Sequence, residues 1–189
     1  TAQHRQMLDS VLEIFDITPD FDLNIMQHGQ TITDITSRVM YGCQEVFKSY
    51  KPEIVLGHGD TTTTFAASLA AFYEKIPVGH VEAGLRSDNI YSPYPEEMNR
   101  RLTGRLASYH FAPTIANREN LVKENVSRRD ILVTGNTVID ALLSVVNDKY
   151  KFENEMLNTI DFNEKKVILL TCHRRENWGE PMNNIFKAC

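Results

Sequence analysis

The sequence predicts an α/β fold, a parallel sheet with helices on both faces. Three observations carry that expectation. Short apolar strands alternate with amphipathic helices along the whole chain. Two of the strands are entered through prolines, Pro52 and Pro77. Four of the five predicted strands exit into glycine or polar residues, "HGD", "HVEAG", "TGN" and "CHRREN", and ligands of such folds lie at the carboxyl ends of the strands.

The elements follow in order. Apolar residues at three- and four-residue spacing predict helices over residues 5–15 and 34–50. Residues 53–58, "EIVLGH", read as a strand and 62–74 as an apolar helix. A second strand covers 77–83. The turn-rich loop "GLRSDNIYSPYP" then leads to a helix over 96–107, whose first turn holds Glu96 and Glu97. "YHFAP" is a short strand before the helix "IANRENLVKEN", and "ILVTG" another before "TVIDALLSVVNDKY". A polar stretch over 148–165 reads as a linker. Beyond it "KVILLTCH" (166–173) starts a new strand and "PMNNIFKA" a new helix. One domain over 1–147, a linker over 148–165 and the start of a second, similar domain over 166–189 are expected.

Bulk properties exclude several classes. A chain of 189 residues is enough for one domain or one and a fraction. The net charge of −5 argues against a general nucleic-acid or anionic-membrane partner, and no apolar run nears the roughly 20 residues that span a bilayer. Cys43, Cys172 and Cys189 are odd in number and show no CxxC spacing, which fits a reducing compartment such as the cytoplasm. The basic cluster "NRRLTGR" (99–105), close to acidic residues, reads as a solvated helix face.

Candidate site residues stand at the strand ends. Asp60 precedes four threonines, "DTTTT", where the helix over 62–74 begins. As a helix N-cap it would be inert. Threonine is a poor helix former, however, so four together make most sense if hydroxyls and free backbone N–H groups face a polar ligand. The helix terminus favours an ionised carboxylate, and that charge opposes a phosphate, so the turn suits a sugar or ribose. Glu82 ends a strand expected to be covered on both faces, where a carboxylate must be paired or used; Arg86 is the available partner. His58, Asp60, His80 and Glu82 repeat a two-residue spacing on neighbouring strands and form the rival constellation, a metal site. Glu96 and Glu97 read first as structural, with Arg100 and Arg101 at i+4 to each. His173, followed by Arg174 and Arg175, closes the last strand, as a phosphate contact or as a solvated loop.

Together, "TAQHRQMLD", "HGDTTTTFAASLAAFYEKIPVGHVEAGLR", "YSPYPEEMNRRLTG", "TGNTVIDAL" and "HRREN" closely resemble bacterial non-hydrolysing UDP-N-acetylglucosamine 2-epimerase, in order and over essentially the whole chain. The resemblance implies two Rossmann-like domains of the glycosyltransferase-B type with the site in the cleft between them. Residues 1–147 would be most of the N-terminal domain, without its first strand, and 166–189 the start of the C-terminal one. It implies interconversion of UDP-N-acetylglucosamine and UDP-N-acetylmannosamine for surface polysaccharide, with no NAD, metal or other cofactor, by elimination and re-addition of UDP. On that template Asp60, Glu82 and Glu96 match the acidic residues of the sugar site, acid/base work included, and His173 matches the contact to the UDP phosphates. Gln3, His4, Arg5 and Gln6 fall in the motif of a regulatory nucleotide-sugar site of some members; Gly29 stands where some of those members carry a basic residue. A homodimer is implied for the full-length protein. The family's opening strand with its "GTRPE"-like loop, and most of its second domain, are not in the chain. It is therefore expected to be a fragment, truncated at both ends and inactive alone. The alternatives are a related glycosyltransferase, which shares the fold, and a sugar-nucleotide-binding module.

Overall fold

The computed structural model describes residues 5–147, 149–172 and 177–189. The chain divides into two compact units, Thr1–Val146 and Asn147–Cys189. In the first, four parallel strands lie side by side in chain order: β1 (Val55–His58), β2 (Val78–Val81), β3 (Tyr109–Ala112) and β4 (Ile131–Val133). Helices α1 (Arg5–Ile14) and α2 (Ile32–Tyr50) precede the sheet, α3 (Thr62–Tyr73), α4 (Glu96–Leu106) and α5 (Ile115–Lys123) connect its strands, and α6 (Thr137–Val145) follows. The expected α/β class is the one found, and element boundaries lie within a few residues of the predicted ones.

Local chemistry accounts for where the helices begin. Thr31 caps α2 through a capping box: its hydroxyl accepts from Asp34 N, and the Asp34 carboxylate accepts from Thr31 N at 2.8 Å. Thr61, Thr114 and Asn136 cap α3, α5 and α6 in the same single-acceptor manner.

The register sorts the sheet into two faces. Gly57, His80, His110 and Ile131 stand in one row across the four strands, and all four are buried. The next row, His58, Val81, Phe111 and Leu132, belongs to the opposite face, where His58 and Leu132 are exposed. Helix α3 packs on β1 and β2, α4 on β2, and α5 on β3 and β4, with α2 laid on α3. Two apolar clusters fill these contacts. Phe47, Ala70, Ala71 and Val78 form one, and Ala83, Ala112, Leu121 and Ile131 the other.

The small residues of α3 let it sit close to β1. A Cβ on Gly57 would stand 3.0 Å from Thr64 Cγ2 and 3.4 Å from Ser68 Oγ. That closeness brings the start of α3 within reach of the backbone where β1 ends, which shapes the site below.

The second unit carries α7 (Glu155–Asn158), inside the polar stretch, and α8 (Glu180–Ala188). Phe152 gathers Tyr150 edge-on at 5.4 Å and Phe162 stacked at 6.1 Å between ring centroids. The strand expected over 166–173 is not formed among the described residues 166–172. A strand needs a neighbour to take its backbone hydrogen bonds, and the described residues of this unit offer none. Ile168 and Leu169 are accordingly 89% and 90% exposed. The three cysteines are free thiols. Among the described residues no helix is long and apolar enough to cross a membrane.

Candidate active site

The site forms where β1 and β2 end. After His58 the chain turns through Gly59, at φ 70°, and Asp60 before α3 starts. Three successive carbonyls in this turn are each held by a side chain from a different element. Thr64 Oγ1 of α3 donates to the His58 carbonyl at 2.6 Å. His80 Nε2 of β2 meets the Gly59 carbonyl at 2.8 Å, so that nitrogen carries the ring hydrogen. Asn99 Nδ2 of α4 donates to the Asp60 carbonyl at 3.0 Å. The Gly59 N–H adds a bond to the Val81 carbonyl at 3.0 Å. Buried carbonyls demand partners, and here the partners fix the path of the turn.

This arrangement corrects the expectation for two of the four threonines, Thr61 and Thr64. The N-cap is Thr61, one residue after Asp60, and its hydroxyl accepts from Thr64 N at 3.2 Å. Thr64 is buried and its hydroxyl points back to β1. Two of the four hydroxyls therefore serve the protein's own backbone. Asp60, released from capping, accepts from Arg100 Nε at 2.9 Å through Oδ2. Among the described residues its Oδ1 has no partner.

Glu82 occupies the matching place at the end of β2. It is a non-glycine residue at φ 65°, a conformation that costs about 1–2 kcal/mol and concentrates at functional positions. Its Oε2 is 3.3 Å from where a Gly59 Cβ would stand, so the carboxylate lies against the Asp60 turn. Its Oε1 accepts from Asn136 Nδ2 at 3.4 Å. The expected partner Arg86 is elsewhere, forked onto Glu124 at 2.6 and 2.9 Å.

Helix α4 closes the third side. Glu96 is half-buried in its first turn and makes no ion pair or hydrogen bond among the described residues. The predicted Glu96–Arg100 pair does not form. Arg100 Nη1 turns instead to Glu97 Oε2 at 3.0 Å while its Nε holds Asp60, and Arg101 Nε meets Glu97 Oε1 at 3.0 Å. The basic stretch 99–105 is thus not a solvated face. Asn99, Arg100, Thr103 and Gly104 are buried, and Arg105 donates to the Glu124 carbonyl at 2.7 Å. Helical periodicity placed these arginines near acidic residues; only the packing of α4 against the β1 turn decided which ones.

The rival metal constellation does not assemble. Parallel register pairs Gly57 with His80 and His58 with Val81, so His58 and His80 lie on opposite faces of the sheet. His58 Nε2 is 3.3 Å from Thr137 Oγ1, and His80 Nε2 is spent on Gly59. Burial pushes the His80 imidazole down from its ordinary 6.5 to about 4, against the bond to Gly59, and the neighbouring His110 is also lowered by burial. Among the described residues no group of three or more His, Cys, Asp or Glu side chains could share a metal ion.

Of the other predicted residues, His173, Gln3 and His4 lie outside the described residues. Arg5 opens α1 with its guanidinium on Asp22 at 2.7 Å and Asn24 at 2.8 Å, and the Gln6 carbonyl accepts from Ser10. Asn99, Arg100, His80 and Asn136 are site residues that sequence reasoning passed over or gave other tasks. His80 and Asn136 stood in the strand-end stretches "HVEAG" and "TGN", whereas Asn99 and Arg100 lie within α4 and carried no such signal.

Comparison with known proteins places the chain in a family. A family model described as UDP-N-acetylglucosamine 2-epimerase matches residues 1–189. The UDP-N-acetylglucosamine 2-epimerase of Bacillus subtilis is 61% identical over 188 residues, which is 100% of this chain and 48% of that protein. A crystal structure from Listeria monocytogenes superposes with a TM-score of 0.91 at 56% identity, over 98% of this chain and 48% of that one. The UDP-GlcNAc 2-epimerase of Neisseria meningitidis, bound to UDP-GlcNAc, gives 0.72 at 58% identity, over 76% and 39%. The chain thus spans about half the length of the curated relatives it matches, 49% in the case of the Clostridium acetobutylicum one. With the match running the full length of the chain and its carboxylates gathered at the strand ends, the chain belongs to the UDP-N-acetylglucosamine 2-epimerase family.

Proposed function

We propose that this chain supplies the sugar-side groups of an enzyme that interconverts UDP-N-acetylglucosamine and UDP-N-acetylmannosamine. The observation that carries the proposal is the meeting of Asp60, Glu82 and the first turn of α4, which bears Glu96, at the ends of β1 and β2. The Neisseria relative binds UDP-GlcNAc, which supports this substrate class.

The sugar's C2 proton has no carbonyl at C1 to acidify it. Departure of UDP from C1 as a base takes that proton meets the difficulty. The C2–H and C1–O bonds break, the C–H electron pair forms the C1=C2 bond of a 2-acetamidoglucal, and UDP leaves with the C–O pair. A proton then reaches C2 from the opposite face as a UDP oxygen bonds to C1. Carboxylates in different environments divide such proton work. Asp60 is held by an arginine and three neighbouring backbone tethers, Glu82 by one long amide contact, and Glu96 by neither. Asp60 and Glu82 also contact the sugar, and His173 meets the phosphates. The complete protein acts as a cytoplasmic homodimer on this small molecule, without nucleic acid or membrane, for surface polysaccharide. Residues 1–147 form most of its N-terminal Rossmann-like domain, without the first strand, joined through 148–165 to the start of a second domain over 166–189; the division after Val146 supports that boundary.

Proton NMR of UDP-N-acetylglucosamine with the complete gene product in D2O tests this. Deuterium at C2 with UDP-N-acetylmannosamine is expected, and Asp60→Asn, Glu82→Gln or Glu96→Gln should each slow exchange by about a hundredfold or more. A folded complete protein giving no exchange would favour the transferase or binding-module reading.

A further inference from the structure

Glu97 stands out among the acidic residues near the site because it is 0% exposed. A buried carboxylate survives only if its charge and lone pairs are answered. Three donors do so: Arg100 Nη1 and the Ser87 N–H on Oε2, and Arg101 Nε on Oε1, all at 3.0 Å. The Ser87 bond ties the loop after β2 to the first turn of α4. The Arg100 bond does more, because the same guanidinium places Nε on Asp60 Oδ2 at 2.9 Å.

Arginine's planar fork makes this relay possible. Nε and Nη1 are fixed relative to one another, so anchoring one sets the direction of the other. Glu97 lies behind Arg100, and Asp60 in front of it at the mouth of the site. Two carboxylates and two guanidiniums alternate, Asp60–Arg100–Glu97–Arg101, and their charges cancel. One oxygen of Asp60 is taken by Arg100, and Oδ1 is left without a partner among the described residues.

We propose that Glu97 is a positioning residue for Asp60, acting through Arg100: it fixes the guanidinium that sets the rotation of the Asp60 carboxylate and so presents Oδ1 to the substrate. The proposal rests on the epimerase reading, within which Asp60 is catalytic and Glu97 touches no substrate.

The test is a double-mutant cycle in the complete enzyme, with Glu97→Gln, Arg100→Lys and the pair. Lysine keeps the charge but cannot hold two carboxylates at fixed angles. Each single change should lower kcat by about a hundredfold, the loss that a misplacement of about 1 Å brings, and change KM by less than about threefold. Because both act through one contact, the pair should lose little more than Arg100→Lys alone. Losses that multiply to about ten-thousandfold would overturn the proposal. So would a kcat per folded molecule that stays at the wild-type value in Glu97→Gln while only its melting temperature falls, the mark of a purely structural carboxylate. If Glu97→Gln does not fold, Glu97→Asp, which keeps the charge but is one methylene short of both arginines, takes its place in the cycle. Should the wild-type complete protein show no interconversion, the epimerase reading fails by itself. The cycle is then read without turnover, on solvent-exchange protection of the Arg100 Nε–H in a 15N spectrum. Loss of protection in Glu97→Gln sustains the relay, and retained protection overturns it.

Discussion

The turns that end β1 and β2 occupy equivalent places one strand apart, and both pass through a left-handed residue, Gly59 and Glu82. They are built differently. The β1 turn uses glycine for the strained position and sets its carboxylate one residue later, where side chains from α3, β2 and α4 hold the backbone. The β2 turn puts its carboxylate on the strained residue itself. Among the described residues its backbone is tied by the Ala83 N–H to Phe111, by Asn117 and Asn120 to the Gly84 carbonyl, at 3.4 and 3.0 Å, and by Arg86 Nη1 to the Leu85 carbonyl at 2.6 Å. One topology thus yields a carboxylate held by an arginine ion pair and a carboxylate held by a single amide contact, according to where the strain falls.

The largest expected effect breaks the β2 turn. Gly84 lies at φ 89° with the Asn117 carbonyl so close that a Cβ would overlap it. Gly84→Ala should cost about 4 kcal/mol, adding overpacking to left-handed strain, or abolish folding, as read by urea unfolding. Acid should strike the β1 turn next. The His80 value in the folded chain, about 4, lies below its ordinary 6.5, so the unfolded chain binds the proton more tightly between those limits. Stability is complete above pH 6.5 and is lost as pH falls toward and through 4. The loss attributable to His80 should be about 3 kcal/mol between pH 7 and pH 4, and His110 adds to it with the same sign. Urea titrations at both pH values check this, since the His80 share should vanish in His80→Gln.

Smaller effects sharpen the contrast. Thr64→Val keeps the shape of the buried side chain but removes the donor to the His58 carbonyl, and should cost about 1.5 kcal/mol with a drop in turnover of the complete enzyme. Glu82→Asn should do the reverse for stability. Asparagine tolerates the left-handed region, so the variant should gain about 1 kcal/mol while C2 exchange is lost. A variant no more stable than wild type would show that Glu82 is not strained. No comparable gain is available at the β1 turn, where glycine already occupies the left-handed position.

Much of this was legible beforehand for identifiable reasons. Strands and helices followed from periodicity and from proline, glycine and threonine punctuation, which act locally. Asp60 and Glu82 stood out because strand ends are themselves local features; Glu96 read locally as structural and entered the proposed site only through the family resemblance. The pairings were not. Arg86 was matched to Glu82 and Arg100 to Glu96 by sequence distance, yet Arg86 went to Glu124, 38 residues away, and Arg100 to Asp60, 40 residues away. Long side chains choose among partners by packing, and packing is not written in spacing. Among the described residues 166–172 the expected strand is not formed, for the same reason: an apolar run specifies a strand only when another edge receives it.

By itself, then, the sequence determined the α/β class and the order of its elements, because backbone preference and burial pattern are properties of neighbouring residues, and it put forward the three carboxylates of the proposed sugar site through its resemblance to the family. Tertiary structure alone decided that His58 and His80 face apart, that Thr64 serves the backbone of β1, and that Glu97 rather than Glu96 anchors Arg100. Those outcomes depend on strand register and on how closely α3 and α4 approach the ends of β1 and β2. They are geometric facts about residues far apart in the chain, fixed only when the sheet and its helices are packed together.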